Sequence, residues 1–135
     1  MRVLIDTNIL LDVLCNRQGL YESSAKIWNL CETGELTGFV SALSLPNLVY
    51  IMRKELDAEK VSEIVSLLST CFTIADLKGA DTLKACGMGF PDYEDALQSA
   101  AAERVKADYI VTRNLKDYKN SKVPALKPEE LLERI

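Results

Sequence analysis

Apolar residues fall along the chain in two rhythms, short unbroken runs and longer stretches with helical spacing. Arg2 to Ile5 carries the unbroken run Val3-Leu4-Ile5, as a parallel strand covered on both faces would. The spacing suits a short helix from about Asn8 to Asn16 and a second over Tyr21 to Thr33. Ala25, Ile27, Trp28, Leu30 and Cys31 form the apolar face of that second helix, and Gly34 is its stop. Leu36 to Ser41 reads as a strand. Leu43 to Glu55 reads as a helix, with Pro46 tolerated in its first turn, and Ala58 to Ser69 as another. Cys71 to Ala75 is a third strand. A helix over Lys78 to Cys86 ends near Gly87 and Gly89, and Pro91 or Asp92 opens the next, which runs to about Lys106. Tyr109 to Thr112 and Val123 to Ala125 supply two more strands, and Pro128 to Arg134 a closing helix.

Short β runs alternating with helices predict an α/β fold, a three-layer α/β/α sandwich around a central, mostly parallel sheet of Rossmann-like type. No repeat or linker divides the chain, so residues 1–135 are expected to form a single domain. Ligands of such open sheets gather beyond the carboxyl ends of the strands. Asp6 directly follows the first strand and is therefore expected at that edge. Its other ordinary role is to cap the helix that follows.

Composition narrows the chemistry. The 135 residues are 48% hydrophobic and 27% charged with a net charge of −4, which suits one core of ordinary size. No apolar run approaches the roughly 18–20 residues of a membrane span, and the N-terminus lacks the pattern of a signal peptide. A cytoplasmic protein without a membrane partner is expected. Cys15, Cys31, Cys71 and Cys86 are widely spaced and read as reduced, mostly buried small side chains. The chain has no histidine, which removes Ser-His-Asp and Cys-His systems and imidazole zinc sites. Any catalysis must run on carboxylates, amides, hydroxyls or lysines, and that points to metal ions.

Acidic and amide residues recur where a site would need them. Asp92, Glu94 and Asp95 open one predicted helix, with Asp92 and Asp95 three apart on one face. Asn114 and Asp117 follow the fourth strand. Singly, each has an ordinary explanation as a helix-dipole partner or turn former. Together, three distant segments each place Asp or Asn at a strand's carboxyl end or at the helix start facing it. Hard cations such as Mg²⁺ and Mn²⁺ take oxygen ligands of this kind.

The segments LIDTNILLDVL, SALSLPNLVYIMRK, DYEDALQSAAAERVKADYIVTRN and LKDY resemble, in order and spacing, the PIN-domain family, in particular its toxin-like bacterial branch. The resemblance runs from residue 2 to about residue 130. It implies a PIN-like fold and a metal-dependent endoribonuclease using Mg²⁺ or Mn²⁺, with RNA as substrate, and many such proteins are toxins of type II toxin–antitoxin pairs. It also implies an antitoxin partner and a homodimer. By the same resemblance Asp6, Asp95 and Asp117 are the catalytic, metal-holding residues. Asn114 stands where many relatives have aspartate, and Asn47 where many have glutamate. Both are expected as weak ligands, with Asp92 acting through water and Thr7, Asn8 and Thr112 orienting the set. The matched set carries three formal negative charges, on Asp6, Asp95 and Asp117, so a low-affinity site completed by substrate phosphate is expected.

Beside that set, Arg113, Lys116, Lys119 and Lys122 recur every three residues around Tyr118. Basic groups interleaved with an aromatic suit single-stranded RNA, and a solvated basic loop is the plainer alternative. Two rival functions stand against the nuclease. An aspartyl phosphotransferase wants a second aspartate two residues after Asp6, where the chain has Asn8. A catalytically weakened PIN module that only binds RNA or protein is the other, and Asn47 favours it. Met52, Tyr50, Leu67 and Leu68 are expected in the core for the most part.

Overall fold

Arg2–Ile5 (β1) is the central strand in the computed structural model, which describes residues 1–135. Thr37–Ser41 (β2) and Tyr109–Val111 (β4) flank it, with Thr73–Ala75 (β3) and Ala125–Leu126 (β5) at the edges, in the order β3-β2-β1-β4-β5. All four ladders are parallel. The helices are Thr7–Leu14 (α1), Tyr21–Glu32 (α2), Ser44–Met52 (α3), Ala58–Cys71 (α4), Gly79–Cys86 (α5), Tyr93–Arg104 (α6) and Pro128–Glu133 (α7).

The unbroken apolar run of β1 is explained by burial on both sides. Val3 and Ile5 join Ile9, Ile27, Leu48, Leu68 and Leu131 in a core against α1–α4 and α7. Leu4 faces the other layer with Phe39, Ala102, Ile110 and Tyr118. Fully burying each such aliphatic side chain contributes about 1.5–3 kcal/mol. In α6, Ala96, Ser99, Ala100, Ala101 and Ala102 are each at most 1% exposed, and their small size lets this helix lie close on the sheet. Gly38 is a close approach of another kind, since a Cβ there would meet Cys31 Sγ at 2.6 Å.

Most element boundaries move by one to three residues from the expected ones. The α4 helix continues through Cys71 because Leu68 and Cys71, three apart, bury the same face, and β3 keeps only Thr73–Ala75. Pro124 has no N–H for the ladder, so β5 begins after it, although its carbonyl accepts from the Ile110 N–H at 2.9 Å. Gly34, at φ +85°, ends α2 as expected. The 3₁₀ turn Leu115–Tyr118 was not predicted from the pattern. Cys31 and Cys71 are buried, whereas Cys15 and Cys86 are exposed, correcting the expectation that most are interior. Met52 and Leu68 lie in the core, but Tyr50 and Leu67 are 69% and 46% exposed.

From β1 the chain builds outward to β2 and β3, then returns to the opposite side of β1 for β4 and β5. The strand order therefore reverses between β1 and β4, and a crevice opens at their carboxyl ends. No helix is long and apolar enough to cross a membrane.

Candidate functional site

The register of β1 against β4 pairs Ile5 with Val111, so Asp6 emerges beside Thr112. Thr112, fully buried, donates from Oγ1 to Asp6 Oδ2 at 2.8 Å and accepts the Asn114 N–H at 3.1 Å. One hydroxyl thus fixes the carboxylate and turns the chain that carries Asn114. Asp6 is also the N-cap of α1, and its Oδ1 accepts from the Thr7 N–H at 2.8 Å and from Gln98 Nε2 at 3.4 Å. Thr7 Oγ1 and Gln98 Nε2 both donate to Ser44 Oγ, at 2.9 and 3.2 Å. Asp6 is only 8% exposed, and capping the helix and facing the crevice are not alternatives here.

A cleft of about 340 Å³ opens over Asp6. Asp92, Glu94, Asp95 and Asp117 share its wall, together with the amides of Asn8, Asn47, Gln98 and Asn114. Asp92 caps α6 by accepting the Glu94 N–H at 2.8 Å, which delivers Asp95 one turn into the helix. Tyr118 Oη, at the end of the 3₁₀ turn, donates to Asp95 Oδ1 at 3.3 Å. Burial is the main force raising the Asp95 carboxyl from 3.8 to about 6, and the like charges of Asp92, Asp6 and Asp117 add to it. Burial likewise raises Asp6, against hydrogen bonds from Thr112, Thr7 and Gln98 that favour its charged form.

The residue pattern behind this cleft fits one family over most of its length. A family model described as a PIN domain matches residues 2–116. The chain belongs to the PIN domain family. Several solved structures share the fold. A VapBC2 complex from Rickettsia felis, bound to a DNA fragment from its promoter, matches with a TM-score of 0.71 at 18% identity, covering 94% of this chain and 98% of that one. A toxin–antitoxin complex from Klebsiella pneumoniae matches with a TM-score of 0.72 at 20% identity, over 93% and 97% of the two chains. FitAcB from Neisseria gonorrhoeae matches with a TM-score of 0.70 at 17% identity, over 94% and 98%. Among curated proteins, none matches the chain.

No three acidic side chains of this PIN domain close around a single point as a finished cation cage would. They line an open cleft instead. That arrangement fits a hard ion held by one or two carboxylates, with water and phosphate oxygens supplying the rest, as is usual for Mg²⁺. The donors are all oxygen, and the repulsion around Asp95 is of the kind a bound cation relieves. Asp92 and Glu94 add charge to the cleft beyond the three carboxylates matched by resemblance.

The raised Asp95 value has a consequence for stability. The unfolded chain releases this proton near 3.8, whereas the folded protein keeps it to about 6. Its contribution therefore favours the fold at low pH and is lost as pH rises through 6. In chelator, the melting temperature of Asp95→Asn should gain on that of wild type between pH 4 and 6.5, and parallel curves would contradict this.

Arg113 is a correction to the expected RNA-contact set. Its guanidinium is committed inward, donating from Nε to Asp12 Oδ2 at 3.0 Å, from Nη1 to Glu129 Oε1 at 2.9 Å and from Nη2 to the Leu20 carbonyl at 3.1 Å. Asp12 is fully buried, so Arg113 balances an interior charge, and most of its donors are taken by Asp12, Glu129, Ser23, Ser24 and the Leu20 carbonyl. Lys116, Lys119 and Lys122 are exposed. Ser44 and Gln98, both buried at the cleft, were not expected from the sequence. For Gln98 a signal existed, because it follows Asp95 by three residues on a helix whose neighbouring positions are small.

Proposed function

We propose that this PIN domain is a divalent-metal-dependent ribonuclease and the toxin of a type II toxin–antitoxin pair. The observation that carries the reading is the meeting of Asp6, Asp95 and Asp117, from three distant segments, in one cleft at the reversal of strand order. Asp6 and Asp95 hold the ion, and Asp117 completes the set directly or through water. Asn47 and Asn114 offer neutral carbonyl oxygens, with Asp92 at the rim. Thr112 and Thr7 fix Asp6 and its surroundings, and Asn8 borders the same space. A bound Mg²⁺ or Mn²⁺ would activate water for attack on a phosphodiester and neutralise charge on the phosphate. An antitoxin and a second copy of the chain are the protein partners. The solved complexes of similar fold, in which an antitoxin accompanies the toxin, support the first of these.

Incubation of the purified chain with single-stranded RNA tests this reading, with Mn²⁺ in one arm and chelator in the other. Cleavage confined to the Mn²⁺ arm supports it. Metal-independent binding without cleavage supports the second reading, a binding module, which Asn47 favours because the site lacks a charge there.

Lys116, Lys119 and Lys122 form the proposed RNA grip beside the cleft. Replacing Lys116 and Lys119 by glutamate should weaken RNA binding. If both lysines meet phosphates, the slope of log K against log salt should flatten by about 1.4, at about 0.7 per contact on a single strand. An unchanged slope removes the grip.

A further inference from the structure

Gln98 is one of only two glutamines in the chain, and the other, Gln18, is exposed. It lies one turn after Asp95 on α6, is 5% exposed, and borders the cleft. Its Nε2 donates to Asp6 Oδ1 and Ser44 Oγ, while its Oε1 is buried without a hydrogen-bond partner. Leucine would fill the same space without burying an unpaired carbonyl. Buried amides are nearly always satisfied, so an unpaired carbonyl on a buried side chain that borders a polar cleft calls for a partner.

We propose that Gln98 is a cation ligand of the cleft, its side-chain carbonyl serving the divalent ion that Asp6 and Asp95 hold. The inference rests on the cation reading of the site given above. The last torsion of glutamine is roughly two-fold, so a half turn brings Oε1 to the position from which Nε2 now reaches Asp6. Facing a carboxylate alone, the N–H side of an amide is favoured. Facing a cation beside that carboxylate, the carbonyl side is favoured. Asn47 and Asn114 leave neutral donors where acids would add charge, which increases the value of one more oxygen next to Asp6.

Calorimetric titration of the full chain with Mn²⁺ tests the assignment in wild type, Asp6→Asn, Gln98→Met and Gln98→Glu. Binding should vanish in Asp6→Asn, weaken about tenfold in Gln98→Met, and be at least as tight as wild type in Gln98→Glu. Gln98→Met within about twofold of wild type, or Gln98→Glu weaker than wild type, overturns the role of Gln98 while loss in Asp6→Asn leaves the cation site standing. Undiminished binding in Asp6→Asn overturns both. Should Gln98→Met fail to fold, wild-type protein labelled at glutamine Cδ decides the matter with its two resonances. The Gln98 signal should move as Mg²⁺ saturates the protein while that of Gln18 stays fixed, and an unmoved Gln98 signal overturns the assignment.

Discussion

Replacing Arg113 by alanine is expected to destabilise the protein by about 3–5 kcal/mol, a large share of the 5–15 kcal/mol typical of a domain. The reason is Asp12, a fully buried carboxylate on α1. Arg113 reaches it at 3.0 Å and ties α1, α2 and α7 to the segment after β4. Without the guanidinium, Asp12 keeps a hydrogen bond from Ser24 at 2.8 Å and a longer contact to Arg17, at 3.4 Å, whose side chain is 40% exposed. Those residual partners favour the lower end of the range. Lysine should restore only part of the loss, because one ammonium cannot reach Asp12, Glu129 and the Leu20 carbonyl together. Urea unfolding measures the effect directly. A loss below about 1 kcal/mol, the scale of a surface ion pair, would show that the network is no anchor.

Asp6→Asn should behave in the opposite way, losing function while keeping the fold. RNA cleavage is expected to fall by at least about a hundredfold, since the removed charge is the one proposed to anchor the ion. Stability should hold or rise. Asparagine keeps an oxygen that can accept from the Thr7 N–H or from Thr112, and the substitution ends the repulsion between Asp6 and Asp95. Asp95 should then titrate below its present value of about 6, by an amount that NMR of its carboxyl carbon can follow. Equal cleavage in the variant would place the chemistry elsewhere. A large drop in melting temperature would mean that Asp6 acts mainly as the cap of α1.

These two residues also mark what could and could not be read from the chain. Asp6 was legible because a short apolar strand and the rule for open parallel sheets together fix its place at the carboxyl edge. Asp95 and Asp117 were legible for the same reason, as acids at a helix start and after a strand. The role of Arg113 was hidden, because its partners Asp12 and Glu129 lie 101 and 16 residues away and only the fold brings them together. From the sequence it belonged to a run of basic residues at three-residue spacing. In space its side chain points inward while Lys116, Lys119 and Lys122 remain exposed. Ser44 and Gln98 were hidden differently. A serine or glutamine on a helix looks like surface until the packed face is known, and α6 is buried at every position of Ala96–Ala102. The boundary of β3 was blurred because Cys71 and Phe72 are apolar in either reading, and the helical contact with Leu68 decided it.

The proposed chemistry is hydrolysis of RNA by this chain with a divalent cation held by Asp6 and its neighbours. Cleavage rate against Mn²⁺ concentration, measured on wild type and Asp6→Asn purified side by side, tests it most directly. A saturable rise is expected in wild type, abolished by chelator and absent from Asp6→Asn. A rate that survives chelator, or that is the same in both proteins, would contradict it.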